Sequence, residues 1–228
     1  MNIIYTWFKN RYKKWYSEEF EILTLITSIK KSSEYYNNII LYTDEQSKKY
    51  IESYNLPIQI KIVEENDSKL WVLNKISTYE KQTKPFIHID ADCILLKKLP
   101  EEFKEAQIGF QSKEDFKYYK DRLGDIKVNT EDVFNFGIYV CNDLSINEKY
   151  CAGARNLAEK IKNIKPLLAY NTVVEQNYMA SLLKDLNIVP SLLYENIEDI
   201  NEEELLHLMH NKNSKEYFNK IKQIYERI

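Results

Sequence analysis

Hydrophobic residues in the first half of the chain follow two periodicities in turn. Short apolar or alternating runs, typical of strands, recur between segments whose apolar positions are three or four residues apart, typical of helices. The pattern predicts strands at residues 3–8, 38–43, 58–63 and 86–89, and helices at 18–30, 45–54 and 70–81. Strands that alternate with helices favour an α/β fold with a mostly parallel central sheet flanked by helices. Ligands of such sheets bind at the carboxyl ends of the strands.

The second half of the chain is less regular. It predicts strands at 106–111 and 134–141, and helices at 148–162, 171–184 and 214–228. The polar segment 112–130 has two interpretations, a mobile loop near the acceptor or a solvated excursion. The apolar face of the last helix predicts that this helix docks on the rest of the chain. We therefore expect one Rossmann-like domain over 1–228, with a nucleotide-binding half at 1–95, a sugar and acceptor half at 96–215, and a C-terminal helix at 214–228.

Composition narrows the functional classes. A hydrophobic content of 44% in 228 residues is enough for a sizeable core, and a net charge of −3 does not indicate a nucleic-acid partner. The three cysteines lack the spacing of a zinc site, and their odd number does not suggest a disulfide framework. We see no leader segment and no run near the roughly 20 apolar residues of a membrane span, so we expect a cytoplasmic protein without one.

Two carboxylates end the fourth predicted strand. Asp90 and Asp92 follow Phe-Ile-His-Ile, and Cys93-Ile-Leu-Leu then resumes the apolar run. Acids are common in turns, which is one interpretation. The other is a cation site, because buried carboxylates need partners and Mg²⁺ or Mn²⁺ takes carboxylate oxygens together with substrate phosphates. Without a cation we expect the two acids to repel each other.

Three further segments follow this pair in order. They are Phe134-Asn-Phe-Gly-Ile-Tyr-Val, Val174-Glu-Gln-Asn and His207-Leu-Met-His-Asn-Lys. Together with the Asp-x-Asp strand, they resemble motifs of the GT-A fold glycosyltransferases, particularly the glycogenin-like and bacterial galactosyltransferase-like group, over residues 1–215. The resemblance implies a metal-dependent hexosyltransferase. Its donor would be a nucleotide-diphospho-sugar, with UDP the expected nucleotide, and its acceptor a glycan or a lipid-linked precursor.

The resemblance also implies the metal and phosphate ligands. Asp90, Asp92 and His207 are expected to bind Mn²⁺ or Mg²⁺, and Lys212 is expected to contact the diphosphate. Asp90 could instead contact the ribose. His210 stands where the family has Gly, so the choice between His207 and His210 stays open. Both histidines could also lie on the surface of an ordinary helix.

The sugar site is expected from the two middle motifs. Glu175 and Gln176, at the start of a helix, are the expected catalytic pair, although acids at that position also stabilise a helix end. Glu175 stands where the family has Asp, and Asn177 replaces its last acid. Asn135 is expected to bind sugar hydroxyls. Gly137 is expected to allow close approach of the sugar, or to mark a strand bulge.

The nucleotide side is expected from residues near the ends of the first strands and from one lysine. Tyr5 and Thr6 end the first strand and Asp44 follows the second, where aromatic stacking and a carboxylate could read a base. Lys75 matches a position that contacts donor phosphate or sugar in this superfamily. Its alternative is an exposed lysine on a helix whose Trp71 lies in the core.

Two other functions stay open. One is a binding module that keeps the fold and nucleotide-sugar binding but has lost catalysis, since the Glu-Gln-Asn segment departs from the family. The other is a nucleotidyltransferase, which also combines an α/β sheet with paired acids. A glycine-rich phosphate loop near the N-terminus would be expected there, but none of the four glycines precedes Gly109.

Overall fold

A computed structural model of the chain describes residues 1–9, 15–64, 70–117, 130–161, 168–209 and 211–228, with the backbone alone at 168 and 169. Its strands are β1 Asn2–Thr6, β2 Ile39–Thr43, β3 Gln59–Ile62, β4 Phe86–Ile89, β5 Cys93–Leu95, β6 Ile108–Lys113, β7 Phe134–Cys141, β8 Ser191–Leu192 and β9 Leu205–His207. Its α-helices are α1 Glu18–Ser33, α2 Glu45–Glu52, α3 Val72–Glu80, α4 Glu101–Lys104, α5 Leu144–Ile161, α6 Leu168–Thr172, α7 Tyr178–Asp185 and α8 Lys215–Tyr225.

A seven-stranded sheet forms the centre of the described residues, in the order β3-β2-β1-β4-β7-β6-β8. The first four strands are parallel to one another, β7 runs antiparallel to both β4 and β6, and β8 is parallel to β6. The predicted α/β class with a mostly parallel sheet is therefore confirmed. The insertion of β7 beside β4 brings the second-half motif Asn135-Phe-Gly137 next to the Asp-x-Asp strand.

Hydrophobic clusters cover both faces of this sheet. One face packs against α3, α5 and α7 through residues such as Ile76, Tyr150 and Leu183. The opposite face packs against α1, with Leu25 and Ile29 among its buried residues. The alternation along β1 explains the division, since Ile4 belongs to the first cluster and its neighbours Ile3 and Tyr5 to the second.

A two-stranded antiparallel ribbon, β5 with β9, lies outside the main sheet. Ile94 and Leu206 of this ribbon pack with Phe20 of α1 and with Phe218 and Ile221 of α8. The prediction that the C-terminal helix docks on the rest of the chain is thereby confirmed. The ribbon matters for the site, because it joins a segment beside Asp92 to one more than a hundred residues later in the sequence.

The structure differs from the predicted elements in two places that bear on the site. The predicted helix 171–184 is divided, because a π-helical turn, Val173–Asn177, separates α6 from α7. Glu175 and Gln176 therefore lie inside a helical stretch. The prediction that they stand at the start of a helix was wrong. The strand predicted at 106–111 continues to Lys113, so the first part of the polar segment 112–130 belongs to β6. Residues 118–129 of that segment lie outside the described residues.

Candidate active site

The Asp-x-Asp segment turns at the carboxyl end of β4. The backbone N–H of Asp90 donates to Gly137 O at 2.9 Å, and the N–H of Cys93 donates back to Asp90 O at 2.9 Å. The carbonyl of Asp92 accepts from the N–H of Leu208 at 3.0 Å. These three bonds hold both carboxylates between β7 of the sheet and the chain that follows β9.

The ribbon brings late residues to Asp92. Cys93 is paired with His207 across β5 and β9, and His207 Nε2 lies 3.8 Å from Asp92 Oδ1. Lys212 Nζ lies 2.5 Å from Asp92 Oδ2. His207 is thus on a strand and largely buried, so the alternative of a surface histidine on a helix is wrong for it. His210 lies outside the described residues.

The electrostatics around Asp92 favour its charged form. Burial acts to raise the pKa of the Asp92 carboxyl, but Lys212 and His207 beside it outweigh burial and hold its pKa below the usual range. Burial lowers the pKa of His207, against the pull of Asp92, so its imidazole is neutral at neutral pH. A carboxylate and a neutral imidazole are both able to bind a metal ion.

Three possible ligand atoms, one each from Asp92, Cys93 and His207, lie within 4.8 Å of one another in the described part of the chain. Burial raises the pKa of the Cys93 thiol strongly, and a thiol binds metals poorly compared with a thiolate. Asp92 and His207 therefore fit Mn²⁺ or Mg²⁺, with diphosphate oxygens left to complete the shell. Asp90, expected as a ligand, is not in this group.

Asp90 belongs to a second cluster of charges. Lys75 Nζ lies 2.7 Å from Asp90 Oδ1 and 2.9 Å from Glu175 Oε1, and it also lies over the Trp71 ring, 5.3 Å from the centroid. Lys75 is only 7% exposed. The alternative of an exposed helix lysine is therefore wrong. Helix α3 supplies the lysine, β4 one acid, and the π-helical turn the other.

Lys75 is shared between buried Glu175 and half-buried Asp90, and the pKa values of both acids reflect this. Burial raises the pKa of Glu175 to about 7, which Lys75 opposes and Asp90 reinforces. Burial likewise raises the pKa of Asp90, with Lys75 again opposing it. Burial acts to lower the pKa of Lys75, but Asp90 and Glu175 outweigh it and raise that pKa. Glu175 is the acid of this site whose charge changes near neutral pH.

The polar atoms of Asn135 are used within the chain. Its Oδ1 accepts from Gly137 N at 2.8 Å, and its Nδ2 donates to Glu114 Oε1 and to Met209 Sδ. A Cβ on Gly137 would lie 2.1 Å from Gln111 Oε1 and 2.8 Å from His207 Cε1. The close approach that Gly137 allows here is thus that of three side chains, the third being Asn135, whose Oδ1 would lie 2.9 Å from that Cβ. The register shift of β6 between Phe110 and Ser112 lies opposite this part of β7.

Gln176 carries an unused acceptor. Its Oε1 is buried and has no hydrogen-bond partner among the described residues. In Asn177, one residue later, the amide NH₂ is used within the chain, since Nδ2 donates to Thr130 O and to Asp132 O at 3.0 Å each. A buried amide oxygen without a partner costs free energy, so Gln176 is the residue of this segment that fits a ligand best.

The residues expected at the nucleotide differ in their placement. Tyr5 is completely buried, and its hydroxyl bonds to Ser28 and Ser32 of α1, so its placement against a base was wrong. The alternation along β1 turns it to the α1 face. Thr6 faces the other side, where Oγ1 lies 3.2 Å from His88 Nε2. Asp44 ends β2 and caps α2 by accepting from Ser47 N at 2.6 Å.

The chain belongs to a family described as "Family of unknown function (DUF6734)". The model of that family matches residues 1–226. No curated protein is similar to this chain in sequence. Within the described residues, no helix has both the length and the apolar character needed to cross a membrane.

Solved structures show the same fold at low sequence identity. Mouse xyloside xylosyltransferase 1 has a TM-score of 0.51 at 11% identity over 85% of this chain and 84% of its own. The Streptococcus pneumoniae glycosyltransferase GlyE has a TM-score of 0.55 at 13% identity over 99% of this chain, which spans 62% of GlyE. A Streptococcus pneumoniae CTP:phosphocholine cytidylyltransferase has a TM-score of 0.56 at 10% identity over 98% of each chain. These similarities establish a GT-A-like, Rossmann-like fold.

Three residues near the site were not predicted from the sequence. Cys93 was set aside because it lacks a partner cysteine at zinc-site spacing, yet its side chain lies beside Asp92 and His207. Gln111 Nε2 lies 3.0 Å from His207 Nδ1, and Glu114 accepts from Asn135. Nothing in the local sequence marks Gln111 or Glu114, because both come into the site through the pairing of β6 with β7.

Proposed function

We propose that the chain is a metal-dependent glycosyltransferase that moves a hexose from a nucleotide-diphospho-sugar, with UDP as the nucleotide, to a glycan or lipid-linked acceptor. In this proposal residues 1–95 form the nucleotide-binding half and 96–215 the sugar and acceptor half, and side chains of both halves meet around Asp90 and Asp92. One observation carries it. His207 and Lys212 lie beside Asp92 at the carboxyl end of β4, where α/β sheets bind ligands.

The diphosphate side uses Asp92, His207 and Lys212. A bound Mn²⁺ or Mg²⁺ would supply Lewis-acid stabilisation of the departing diphosphate. Asp92 and His207 hold that ion in the proposal. The ammonium of Lys212, now paired with Asp92 Oδ2, is positively charged because Asp92 raises its pKa against burial. With a cation held by Asp92, Lys212 would be available to the diphosphate oxygens and would supply a second positive charge there.

The sugar side uses Glu175, Gln176 and the pair Lys75–Asp90. Glu175 has a pKa of about 7, so its acid and carboxylate forms are both populated at neutral pH, as general acid–base chemistry requires. The unused Oε1 of Gln176 accepts a sugar hydroxyl. Lys75 holds Asp90 and Glu175 in place, and Asp90 contacts the ribose, the metal, or both. The rest of the proposed donor site is lined by Thr6, Asp44, Asn135 and Gly137.

A nucleotidyltransferase is the second candidate. The cytidylyltransferase matches this fold over 98% of both chains, whereas this chain spans only 62% of GlyE. The segment after β1, Trp-Phe-Lys-Asn-Arg-Tyr-Lys-Lys, contains no glycine, although phosphate loops use glycine for close backbone approach. A non-catalytic module that binds nucleotide sugars is the third candidate. It differs from the proposed glycosyltransferase only in lacking turnover.

The first test is thermal melting with UDP and Mn²⁺, alone and together. We expect the two ligands together to raise the melting temperature more than the sum of their separate shifts. Saturation at a hundredfold excess stabilises by about 2.7 kcal/mol, or about 5 to 10 °C for a chain of this size. An equal shift by UDP in EDTA would contradict the metal bridge, and CDP, GDP and ADP test the choice of base.

The product released, or its absence, distinguishes the three candidate functions. UDP release from UDP-hexoses with Mn²⁺ is expected for the wild type, and Asp92→Asn is expected to reduce it more than about 100-fold, beyond the usual cost of losing an outer partner of a metal ligand. Asp185→Asn, an exposed acid at the end of α7, is the matched control and should leave turnover unchanged. Pyrophosphate release from CTP with a phosphorylated alcohol would favour the nucleotidyltransferase, and binding without either product would favour the module.

A further inference from the structure

Gln111 is a buried amide directed at the far side of the histidine of the proposed metal site. It is fully buried on β6, and its Nε2 lies 3.0 Å from His207 Nδ1. Its Oε1 accepts from the thiol of Cys93 at 3.7 Å. The other ring nitrogen of His207, Nε2, faces Asp92. The side chains of Cys93, Gln111, His207 and Asp92 thus form one continuous chain of polar contacts.

The donors and acceptors along this chain determine which ring nitrogen carries the proton. When the amide NH₂ of Gln111 donates to Nδ1 of a neutral His207, Nδ1 is the acceptor and the ring proton lies on Nε2. That proton then points at the carboxylate of Asp92. A metal ion needs the opposite arrangement, a lone pair on Nε2 and the proton on Nδ1. With the amide of Gln111 in this orientation, the lone pair of Nε2 is therefore not available to a metal ion.

A rotation of one amide would interchange the two arrangements. Turning the carboxamide of Gln111 by 180° exchanges its donor and acceptor without changing its shape, so that Oε1 accepts from Nδ1–H. Cys93 accommodates both orientations, because a thiol is a weak donor in one and its sulfur a weak acceptor in the other. One proton leaves Nε2 and one arrives at Nδ1, so no net proton is taken up.

The backbone opposite Gln111 leaves space for this amide. A Cβ on Gly137 would lie 2.1 Å from Gln111 Oε1 and 2.8 Å from the His207 ring. Any other residue at 137 would displace the amide from the histidine. The glycine of the Phe-Asn-x-Gly segment thus gains a function that the sequence did not reveal, since it keeps Gln111 in contact with His207.

We infer that Gln111 is a positioning residue that sets the tautomer and orientation of His207, through an amide that turns when a divalent cation binds. The inference rests on the metal-binding part of the proposed function. Outer hydrogen-bond partners of metal-ligating histidines typically account for 10- to 100-fold in affinity. Gln111 is such a partner, and Cys93 completes the chain behind it.

The test compares two variants at Gln111 with a matched control. Gln111→Met keeps the volume and removes both polar ends, so Mn²⁺ affinity measured by titration calorimetry should fall about 10- to 100-fold. Gln111→Glu retains an acceptor, so Mn²⁺ should bind as tightly as in wild type or more tightly. Gln82→Met removes another buried amide, one that donates to Thr78 O at 2.7 Å, and should leave Mn²⁺ affinity unchanged.

A second readout needs no metal. The chain has three histidines, so ring ¹⁵N spectra at pH 8 are simple, and His207→Gln assigns the resonances. Wild type should show His207 with its proton on Nε2, and Gln111→Glu should move the proton to Nδ1. The same tautomer in both proteins, or unchanged Mn²⁺ affinity in Gln111→Met, would overturn the inference. If wild type binds no Mn²⁺, the proposed function fails, and the ¹⁵N spectra alone decide the role of Gln111.

Discussion

The two aspartates of the Asp-x-Asp segment are two residues apart, with Asp92 buried and Asp90 half-buried, and their surroundings differ. Lys212 is paired with Asp92 at 2.5 Å, whereas Lys75 is shared between Asp90 and Glu175 at 2.7 and 2.9 Å. The pKa of Asp92 is accordingly lowered, while burial raises the pKa of Asp90 and of Glu175. The number of cations per acid, and not burial alone, thus separates the carboxyl whose pKa is lowered from the two whose pKa is raised.

The difference suits the roles proposed for the two clusters. A carboxylate that stays ionised is suited to a cation, and Lys212, whose side chain is 28% exposed, is able to leave it. An acid with a pKa near 7 is suited to proton transfer, and Lys75, whose side chain is 9% exposed, is held on both sides. Removal of single charges from the two clusters tests this contrast.

Lys75→Met is expected to have the largest effect on stability. It leaves buried Glu175 and half-buried Asp90 without their cation, and breaking a buried ion pair typically costs about 3 to 5 kcal/mol. The free energy of unfolding from chemical denaturation at pH 7 should fall by this order. Lys98→Met, at an exposed lysine paired with Glu101, is the control and should change little. The deficit of Lys75→Met should shrink at pH 5, where Glu175 is protonated.

Glu175→Gln is expected to change the pH dependence of stability. The folded pKa of Glu175, about 7, is above its ordinary value, so folding takes up a proton between about pH 4.5 and pH 7. Its contribution is therefore fully present below pH 4.5 and is lost as the pH rises through 7. A shift of this size corresponds to about 3 kcal/mol. The difference in unfolding free energy between wild type and Glu175→Gln should show this slope.

The control for that measurement is Glu102→Gln, at an exposed glutamate of α4. Its curve of unfolding free energy against pH should run parallel to that of the wild type. A Glu175→Gln curve that also runs parallel to the wild type would mean that Glu175 titrates as an ordinary carboxyl. The contrast between the two clusters would then be lost.

Asp92→Asn is expected to have the smallest effect on the stability of the metal-free protein. The sequence suggested relief of repulsion, but Lys212 and His207 outweigh burial and favour the charged form of Asp92. Losing a charge-assisted hydrogen bond of this kind costs about 2 kcal/mol. Denaturation in EDTA should therefore show a modest loss of stability. A rise would mean that repulsion from Asp90 dominates.

The sequence anticipated both clusters only in part. The apolar run 86–89 and the acids after it identified the end of β4, and the C-terminal motif named His207 and Lys212. The sequence placed Lys75 near the donor but did not predict its pairing with Asp90 and Glu175. A lysine on an amphipathic helix is equally compatible with a solvent-exposed position. The prediction that Tyr5 contacts the base was wrong because the sequence shows that side chains alternate between the two faces of a strand, but not which face is turned to the ligand.

Hydrophobic periodicity and order along the chain thus determined the alternation of strands and helices, the parallel first half of the sheet, and the position of the Asp pair at a strand end. These features depend on residues close in sequence. Tertiary structure alone decided that β7 lies beside β4, that β9 pairs with β5, and that a π-helical turn brings Glu175 to Lys75. Such pairings join distant segments through backbone hydrogen bonds that carry little sequence signature, and through them Gln111, Cys93 and Glu114 enter the site.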